Sequence, residues 1–399
     1  MKNKTNLINL KTVFTIFLIL LINNVFAQKS LSEVLLSVEA NNKAIIANQH
    51  LWESNKIENK VGFLPDNPSI YYGYFPGNNS VIGTKRTFGI SQSFDFPTAY
   101  FNKNDLINNQ LSYAGFKMNA FRQNVLLEAK LVCYELVFLN KLKKKYEERL
   151  VNASELMEAY KTKFQNGDAN ILDLNKAKLQ FVEFENNLRS IEAEILQYSE
   201  KLNLLNGEKP IEFTADSYSD NLLQDFDKLL FGFFEKSPLI NANQSELEIA
   251  NSHLKLSRSL YLPEIEVAYE AEMIMDDSYR GVKVGLSIPL WGKANTIKSS
   301  KANQIFVKSE DENLRAKLSS LIKQDYQKLL IMKANLDNYS KAIENYDNVN
   351  LLMESLEAGQ ISAIEFFMEI TYFYNVYDNF LELEKDYYQK LAGLYKFDL

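Results

Sequence analysis

The chain has 399 residues, with 46% hydrophobic and 24% charged residues, so it is expected to fold rather than remain disordered. Its formal net charge of −7 argues against general binding to nucleic acid, whose phosphates attract basic surfaces. Only 14 glycines and 8 prolines occur over this length, which predicts long, uninterrupted elements.

The N-terminal residues 1–27 have the pattern of a secretory signal peptide. A lysine-containing start precedes the uncharged, mostly apolar run Val13 to Ile22, and Val25-Phe26-Ala27 supplies residues suited to a cleavage site. The alternative, a membrane-spanning helix, would need about 20 apolar residues, and this run is shorter. We therefore expect 1–27 to be removed on export.

The rest of the chain contains an internal repeat. Leu64-Pro65 recurs as Leu262-Pro263, and Phe164-Gln165-Asn166-Gly167 recurs as Leu356-Glu357-Ala358-Gly359. The repeat divides the exported chain into two segments, 28–215 and 216–399. Each segment is predicted to contain a helix, two short strands, a very long helix, a glycine turn and a further helix.

Two very long helices are predicted, one in each segment. The first segment begins with a helix from about Leu31 to Gly62, and its long helix runs from about Thr98 to Gln165. Apolar residues between Ile107 and Val125 recur at alternating steps of four and three, as in coiled coils. The second long helix runs from about Lys293 to Glu357. A soluble coiled-coil spacer would give the same helical pattern.

Four strands are predicted from alternating apolar and polar residues. Such runs of about ten residues are typical of outer-membrane strands, with apolar side chains toward lipid and polar ones toward a lumen. A half-buried strand of a soluble sheet gives the same alternation. The connections 76–85 and 276–280 would face outside the cell. The predicted strands are Ser69–Phe75, Thr87–Phe96, Glu264–Met273 and Val282–Trp291.

Carboxylates follow one face of the third strand. If that face lines a lumen, repetition around an oligomer gives stacked acidic rings, which favour cations. Alternatively, these carboxylates only make the lumen polar without selecting cations, and Lys283 on the next strand partly offsets their negative charge. Because four strands cannot close a barrel and open edges cannot face lipid, the chain would have to oligomerise. The carboxylates are those of Glu264, Glu266, Glu270 and Glu272.

The duplicated order of elements, the Leu-Pro before each strand pair and the two glycine turns together resemble the TolC family of outer-membrane efflux proteins. The resemblance covers essentially the whole exported chain. It implies a mainly α-helical fold in which duplicated long helical hairpins form a periplasmic α-barrel. Four strands from each chain contribute to a 12-stranded transmembrane β-barrel in a homotrimer.

The resemblance also implies roles for the two glycine turns. Gly167 and Gly359 would lie at periplasmic tips that dock an adaptor protein. Asp173 and Glu365 fall where the family places acidic residues that hold a gate closed, although acids are common in any first helical turn. Two departures weaken that expectation: Met368 stands where a second carboxylate is expected, and Ile361 where a basic residue is frequent.

The expected function is that of a passive outer-membrane exit duct in a tripartite efflux system, with a periplasmic adaptor and an inner-membrane pump of the RND type. Metal cations are the favoured cargo, because the short outer connections and acidic strand are similar to the heavy-metal branch of the family. Multidrug efflux and type I protein secretion stay open, as does a periplasmic coiled-coil adaptor or structural protein.

No enzyme activity, cofactor or bound metal is expected. Cys133, His50 and His253 are scattered along the sequence and do not form a metal-ligand motif. Cys133 is expected to be a small buried hydrophobic residue.

Overall fold

A computed structural model describes residues 30–78, 83–218, 223–289, 291, 294–346 and 349–399. The predicted signal peptide, 1–27, lies outside the described residues. Along the chain, helices precede, separate and follow two pairs of strands, and the order of elements recurs in the two halves of the chain. Within the described ranges, no helix has an apolar stretch long enough to cross a membrane.

The helices are numbered in chain order. Those of the first half are α1 (Leu31–Asn41), α2 (Lys43–Val61), α3 (Pro97–Asn166) and α4 (Ile171–Leu205). Those of the second half are α5 (Phe226–Lys236), α6 (Pro238–Ser259), α7 (Ala294–Tyr346), α8 (Val349–Glu357) and α9 (Ala363–Leu394), followed by a short 3₁₀ turn at Lys396–Asp398.

The predicted long helix of the first half is confirmed. Helix α3 has 70 residues, which at 1.5 Å per residue corresponds to about 105 Å. In the second half, α7 alone has 53 residues. The predicted helix 293–357 corresponds to α7 and α8, and residues 347 and 348 between them are outside the described residues.

The prediction of one unbroken helix over 31–62 was wrong, because the helix is interrupted at Asn42. This residue has extended backbone angles, and its side-chain oxygen accepts hydrogen bonds from the backbone N–H groups of Ala44 and Ile45, both at 3.0 Å. Asparagine competes in this way with the helical backbone for hydrogen bonds. It therefore ends α1 and caps α2.

The strands form one antiparallel sheet in the order β1-β2-β3-β4. β2 of the first half pairs with β3 of the second half, so the sheet joins the two repeats. Both β1 and β4 are edge strands within the chain. The strand bounds are β1 (Ser69–Pro76), β2 (Thr84–Phe94), β3 (Glu264–Ile274) and β4 (Asp277–Ser287).

The predicted bounds of β1 and β3 agree with the structure to within one residue, whereas those of β4 were wrong. The predicted loop 276–280 is mostly strand, and only Met275 and Asp276 form the turn between β3 and β4. Met275 has a positive φ of 54°, as a tight hairpin turn requires. β2 also begins earlier than predicted, at Thr84, and ends at Phe94 rather than Phe96.

The chain divides into two compact units, each built from segments of both halves. Of the described residues, unit 1 contains those within 30–41, 129–218 and 338–388, and unit 2 contains those within 42–128, 223–337 and 389–399. Unit 1 has a leucine-rich core that includes Leu136, Leu139, Leu202 and Leu381, all fully buried. Unit 2 contains the sheet.

Cys133 lies in the core of unit 1, as predicted for a small buried hydrophobic residue. Burial raises the pKa of its thiol to about 12, so the thiol stays protonated and unreactive.

Candidate functional site

The first glycine turn, between α3 and α4, is built by local hydrogen bonds. Gly167 has φ +82°, and the backbone N–H of Asp168 donates to the carbonyl of Lys163 at 2.8 Å, which is the Schellman arrangement. Three residues after the glycine, Asn170 caps α4 by accepting from the backbone N–H of Asp173 at 3.0 Å. Asp173 therefore occupies the third position of α4.

The second turn, between α8 and α9, repeats this design. Gly359 has φ +69°, and the N–H of Gln360 donates to the carbonyl of Ser355 at 2.8 Å. Ser362 and Glu365 form a reciprocal capping box: the Ser362 N–H donates to Glu365 Oε2 at 2.8 Å, and the Glu365 N–H donates to Ser362 Oγ at 3.2 Å. Glu365 thus has a local structural role in addition to the predicted one.

The hydrogen bond from the backbone of Ser362, and then that from its hydroxyl, lowers the pKa of the exposed Glu365 carboxyl. Because the pKa is lower in the folded protein, the Glu365 carboxylate stabilises the fold fully at pH values above its pKa in the unfolded chain. This stabilisation is lost as the pH falls through its pKa in the folded protein. The capping box is therefore intact at neutral pH.

Both glycine turns belong to unit 1 and share one hydrophobic core. The seven buried members of this tip core come from all four helices that meet at the turns: Leu156, Tyr160, Leu174, Ala177, Leu356, Phe366 and Ile370. Each predicted gate residue directly precedes a member of this core, Asp173 before Leu174 and Glu365 before Phe366. Burial, and then the negative charge of Asp173, raises the pKa of the Tyr160 hydroxyl.

A buried arginine joins α3 to α9 in the same unit. Arg149, only 4% exposed, forms a bidentate ion pair with Asp378, with Nη2–Oδ1 and Nη1–Oδ2 distances of 2.6 and 2.9 Å. Its guanidinium lies 4.6 Å from the ring centre of Tyr146 and 4.3 Å from that of Tyr374. We call these four residues the arginine clamp. Sequence reasoning missed it, since Arg149 lies in a run of charged residues and its partner Asp378 is distant in sequence.

Two further ion pairs connect the same helices. Lys141 Nζ lies 2.6 Å from Glu384 Oε2, and Lys385 Nζ lies 3.5 Å from Glu135 Oε1. All of these side chains are at least partly buried, so the pairs are screened less than surface pairs. Together with the arginine clamp, they fix α9 against α3.

The sheet in unit 2 has one polar and one apolar face. In a strand ladder, directly opposed residues point to the same side. Glu270 is opposed to Gly89 and Gly281, and Glu272 to Thr87 and Tyr279. All four predicted glutamates share this polar face, together with Lys85 and Lys283. Lys85 Nζ lies 2.8 Å from Glu272 Oε1, so one carboxylate is already paired.

The opposite face of the sheet carries large apolar side chains that remain exposed in the chain. Val282 is 72% and Ile70 68% exposed, for example. An exposed apolar face of this extent marks a surface that is covered by another molecule or by lipid. The large apolar residues of this face, all exposed except the half-buried Ile265, are Ile70, Tyr72, Tyr74, Phe88, Ile90, Phe94, Ile265, Val267, Tyr269, Met273, Val282, Val284 and Leu286.

The structure therefore brings the predicted tip residues together around one core and the predicted glutamates together on one face. Within the described part of the chain, there is no group of three or more His, Cys, Asp or Glu residues that could hold a metal ion.

This combination of long helical hairpins and a small amphipathic sheet is found in outer-membrane channels. The structure of CusC, studied for its transmembrane channel formation, aligns with a TM-score of 0.76 and 12% identity, covering 93% of this chain and 92% of that one. The Campylobacter jejuni CmeC outer membrane channel aligns with a TM-score of 0.73 and 14% identity, covering 93% and 86%.

The Vibrio cholerae outer membrane protein VceC gives a TM-score of 0.73 at 12% identity, covering 91% of this chain and 94% of that one. No protein-family model matches the sequence, and no curated protein matches it significantly. The fold is that of TolC-type outer-membrane channels over nearly the whole chain. The predicted fold class, with four strands in each chain, is thereby confirmed.

Proposed function

We propose that the protein is a subunit of an outer-membrane channel that serves as the passive exit duct of a tripartite efflux system. The single observation that supports this most strongly is the amphipathic sheet, whose apolar face is exposed while its polar face carries four glutamates. In this interpretation, the apolar face contacts lipid and the polar face lines the lumen. The duct itself has no catalytic role.

The sheet has two open edges, so the proposed channel must be an oligomer, and we propose the homotrimer that the resemblance to the TolC family implies. Unpaired backbone groups at β1 and β4 cannot face lipid, so neighbouring copies must pair with them, and three copies give a 12-stranded barrel. Helix α9 supports association as well. Ile364, Met368 and Tyr372 follow one another at steps of four and are between 54% and 70% exposed, which leaves an apolar stripe for a neighbouring helix.

In the proposed assembly, the helices form an α-barrel in the periplasm and the glycine turns form its tips. The turns at Gly167 and Gly359 would dock a periplasmic adaptor, which in turn connects the duct to an inner-membrane pump of the RND type. Added side chains at either glycine would meet open space, so both turns offer accessible backbone.

The first test of this function is reconstitution. The purified protein should form an oligomer that dissociates on heating, and it should produce discrete conductance steps in a planar bilayer. A monomer that stays soluble without detergent and gives no conductance would instead support the alternative of a periplasmic coiled-coil adaptor or structural protein.

Metal cations are the proposed cargo, since the polar face carries four glutamates against two lysines. The Lys85–Glu272 pair is locally neutral, whereas no ion pair is seen for Glu266 and Glu270 among the described residues. These two carboxylates are therefore the best placed to favour cations. Multidrug efflux and type I protein secretion are the competing cargo assignments.

Neutralising Glu266 and Glu270 should weaken cation preference. We expect the double variant Glu266→Gln/Glu270→Gln to lower the permeability ratio of potassium over chloride roughly threefold, since clefts lined by charge of one sign reach potentials of several kT. Reversal potentials in a salt gradient measure this ratio. Removing the neutral pair with Lys85→Gln/Glu272→Gln is the matched control and should leave the ratio unchanged.

Equal effects of the two double variants would contradict a role for the unpaired carboxylates. The cargo itself is tested separately by growth of a deletion strain on a panel of metal ions and drugs. Selective sensitivity to metal ions supports cation efflux, and sensitivity to drugs alone would reject that assignment while retaining the duct.

Asp173 and Glu365 are the proposed gate residues. Glu365→Gln removes the charge but keeps the capping box, since glutamine also serves at that position. We expect Asp173→Asn and Glu365→Gln each to raise the open probability of single channels about two- to fivefold, the range that an exposed charge interaction supports. Lys161→Gln, near the first glycine turn, is the control for a change in surface charge.

If Glu365→Ala raises the open probability but Glu365→Gln does not, the capping box rather than the carboxylate charge controls the gate. That outcome would remove Glu365 from the gate and leave its role as structural.

A further inference from the structure

Two arginines interrupt the apolar face of the sheet. Arg86 on β2 is directly opposed to Tyr74 and Met273, and Arg280 on β4 is directly opposed to Ala271. Because opposed residues point to the same side, both guanidinium groups belong to the face that otherwise carries large apolar side chains. This face would contact lipid in the proposed channel, and the inference below rests on that function.

Neither guanidinium group has a hydrogen-bond or ion-pair partner among the residues that the structure describes. The glutamates of the sheet lie on its other face, and the adjacent Lys85, on that polar face, is the one that pairs with Glu272. A guanidinium stays protonated in proteins and provides donors but no acceptor. On an apolar face, two such groups therefore need an anionic partner from outside the chain.

Both arginines lie near the hairpin ends of their strands. Arg86 follows the start of β2 at Thr84 closely, and Arg280 follows the start of β4 at Asp277. The stretch of β2 from Arg86 to Phe94 is about 26 Å long at 3.3 Å per residue, which corresponds to about 20 Å across the membrane when strands tilt by about 40°. An outer-membrane barrel has an apolar band about 25 Å tall. The arginines therefore lie at one end of this apolar stretch, close to where lipid headgroups begin.

The two guanidinium groups are close enough to act together. Arg86 and Arg280 are two strands apart, about 10 Å, and are offset by one two-residue step of about 7 Å, which places their Cα atoms about 12 Å apart. Tyr74 is directly opposed to Arg86, and Tyr72 lies in the row of opposed residues that ends at Arg280. Tyrosine is enriched at membrane interfaces, since its ring is apolar and its hydroxyl is polar.

We propose that Arg86 and Arg280 bind the anionic, phosphate-bearing headgroup of a membrane lipid at the hairpin end of the barrel. Charge complementarity identifies the ligand, since guanidinium groups form bidentate hydrogen bonds with phosphate. The surrounding apolar face identifies the source as a lipid rather than a soluble anion, because the acyl chains of a lipid would cover the side chains below the two arginines.

The test measures which lipids the intact protein retains. The protein is inserted into phosphatidylcholine vesicles that contain a minor fraction of phosphatidylglycerol as the probe, and it is then extracted in mild detergent for native mass spectrometry. We expect the wild type to retain phosphatidylglycerol above its bulk fraction. Arg86→Gln and Arg280→Gln should each lower this enrichment about fivefold, and the double variant about 25-fold.

Lys85→Gln is the matched control, since it removes one positive charge next to Arg86 on the opposite face. It should leave the enrichment unchanged, and an equal loss would overturn the proposal. An unchanged enrichment in the double arginine variant, in protein that inserts normally, would also overturn the lipid site while leaving the channel function in place. Failure of the wild type to insert would overturn both.

Inorganic phosphate provides the last comparison. At matched ionic strength, it should not displace phosphatidylglycerol more than chloride does. Selective displacement by phosphate would assign the arginines to a soluble anion and overturn the lipid site.

Discussion

Replacing Gly207 with alanine should destabilise the protein by about 3 kcal/mol or more, because two separate penalties apply. Gly207 follows the end of α4 with φ +69°, a conformation that L-residues rarely adopt. A Cβ atom there would also lie 2.2 Å from the backbone oxygen of Asn41. A backbone atom cannot move aside as a flexible side chain can, so α1 would have to shift.

Gly167→Ala is the matched control for this substitution. Gly167 also has a positive φ, of +82°, but a Cβ there would meet nothing within 4 Å. Only the conformational penalty of about 1–2 kcal/mol should remain. Thermal unfolding followed by helical circular dichroism compares the two variants in the same detergent. Equal losses would mean that the contact with Asn41 relaxes without cost. Should Gly207→Ala fail to accumulate in folded form while Gly167→Ala accumulates normally, the predicted order would hold.

The second large effect is expected in the arginine clamp. Asp378→Ala should cost about 3 kcal/mol, because it leaves the buried guanidinium of Arg149 without its carboxylate partner. Arg149→Met should cost less, since Asp378 is 29% exposed and can be rehydrated when the arginine is absent. Removal of the aspartate should therefore cost more stability than removal of the arginine, although both break the same ion pair. The same thermal unfolding experiment measures both losses.

An exposed ion pair in the same unit provides the control. Arg189 and Glu185 lie 2.7 Å apart, but the arginine is 69% exposed. Arg189→Met should therefore change stability by less than about 0.5 kcal/mol. If Asp378→Ala were as mild as this control, the guanidinium would be satisfied by water or by its two tyrosine neighbours, and the clamp would not stabilise the fold.

The regular parts of the fold were predictable from the sequence because their signals are periodic. The alternating steps of four and three gave the long helix α3, and alternation of apolar and polar residues gave the two faces of the sheet. The prediction for β4 was wrong because the alternation changes near the hairpin. Ser278 and Arg280 fall on the apolar face and Tyr279 on the polar one, so a strand that continues there looked like a polar loop.

The candidate site likewise contains features that were predictable from the sequence and features that were not. The glycine turns at Gly167 and Gly359 were predictable because each is made by neighbours in sequence. The arginine clamp was not, since Arg149 and Asp378 are 229 positions apart and each looks like an ordinary charged residue of a long helix. Asn42 was missed because its capping role depends on its side chain, whereas apolar periodicity continues on both sides of it.

The tip core draws its helices from both halves of the chain, which has a consequence for how the chain reaches its native state. It combines Leu156 and Leu174 with Leu356 and Ile370, so this core cannot be completed until α9 has been synthesised. Contacts so distant in sequence form slowly. Throughout that interval, and until lipid or a neighbouring copy covers them, the apolar face of the sheet and the apolar stripe of α9 are available for aggregation. The newly made chain is therefore expected to depend on a holdase chaperone until it has folded and entered the membrane.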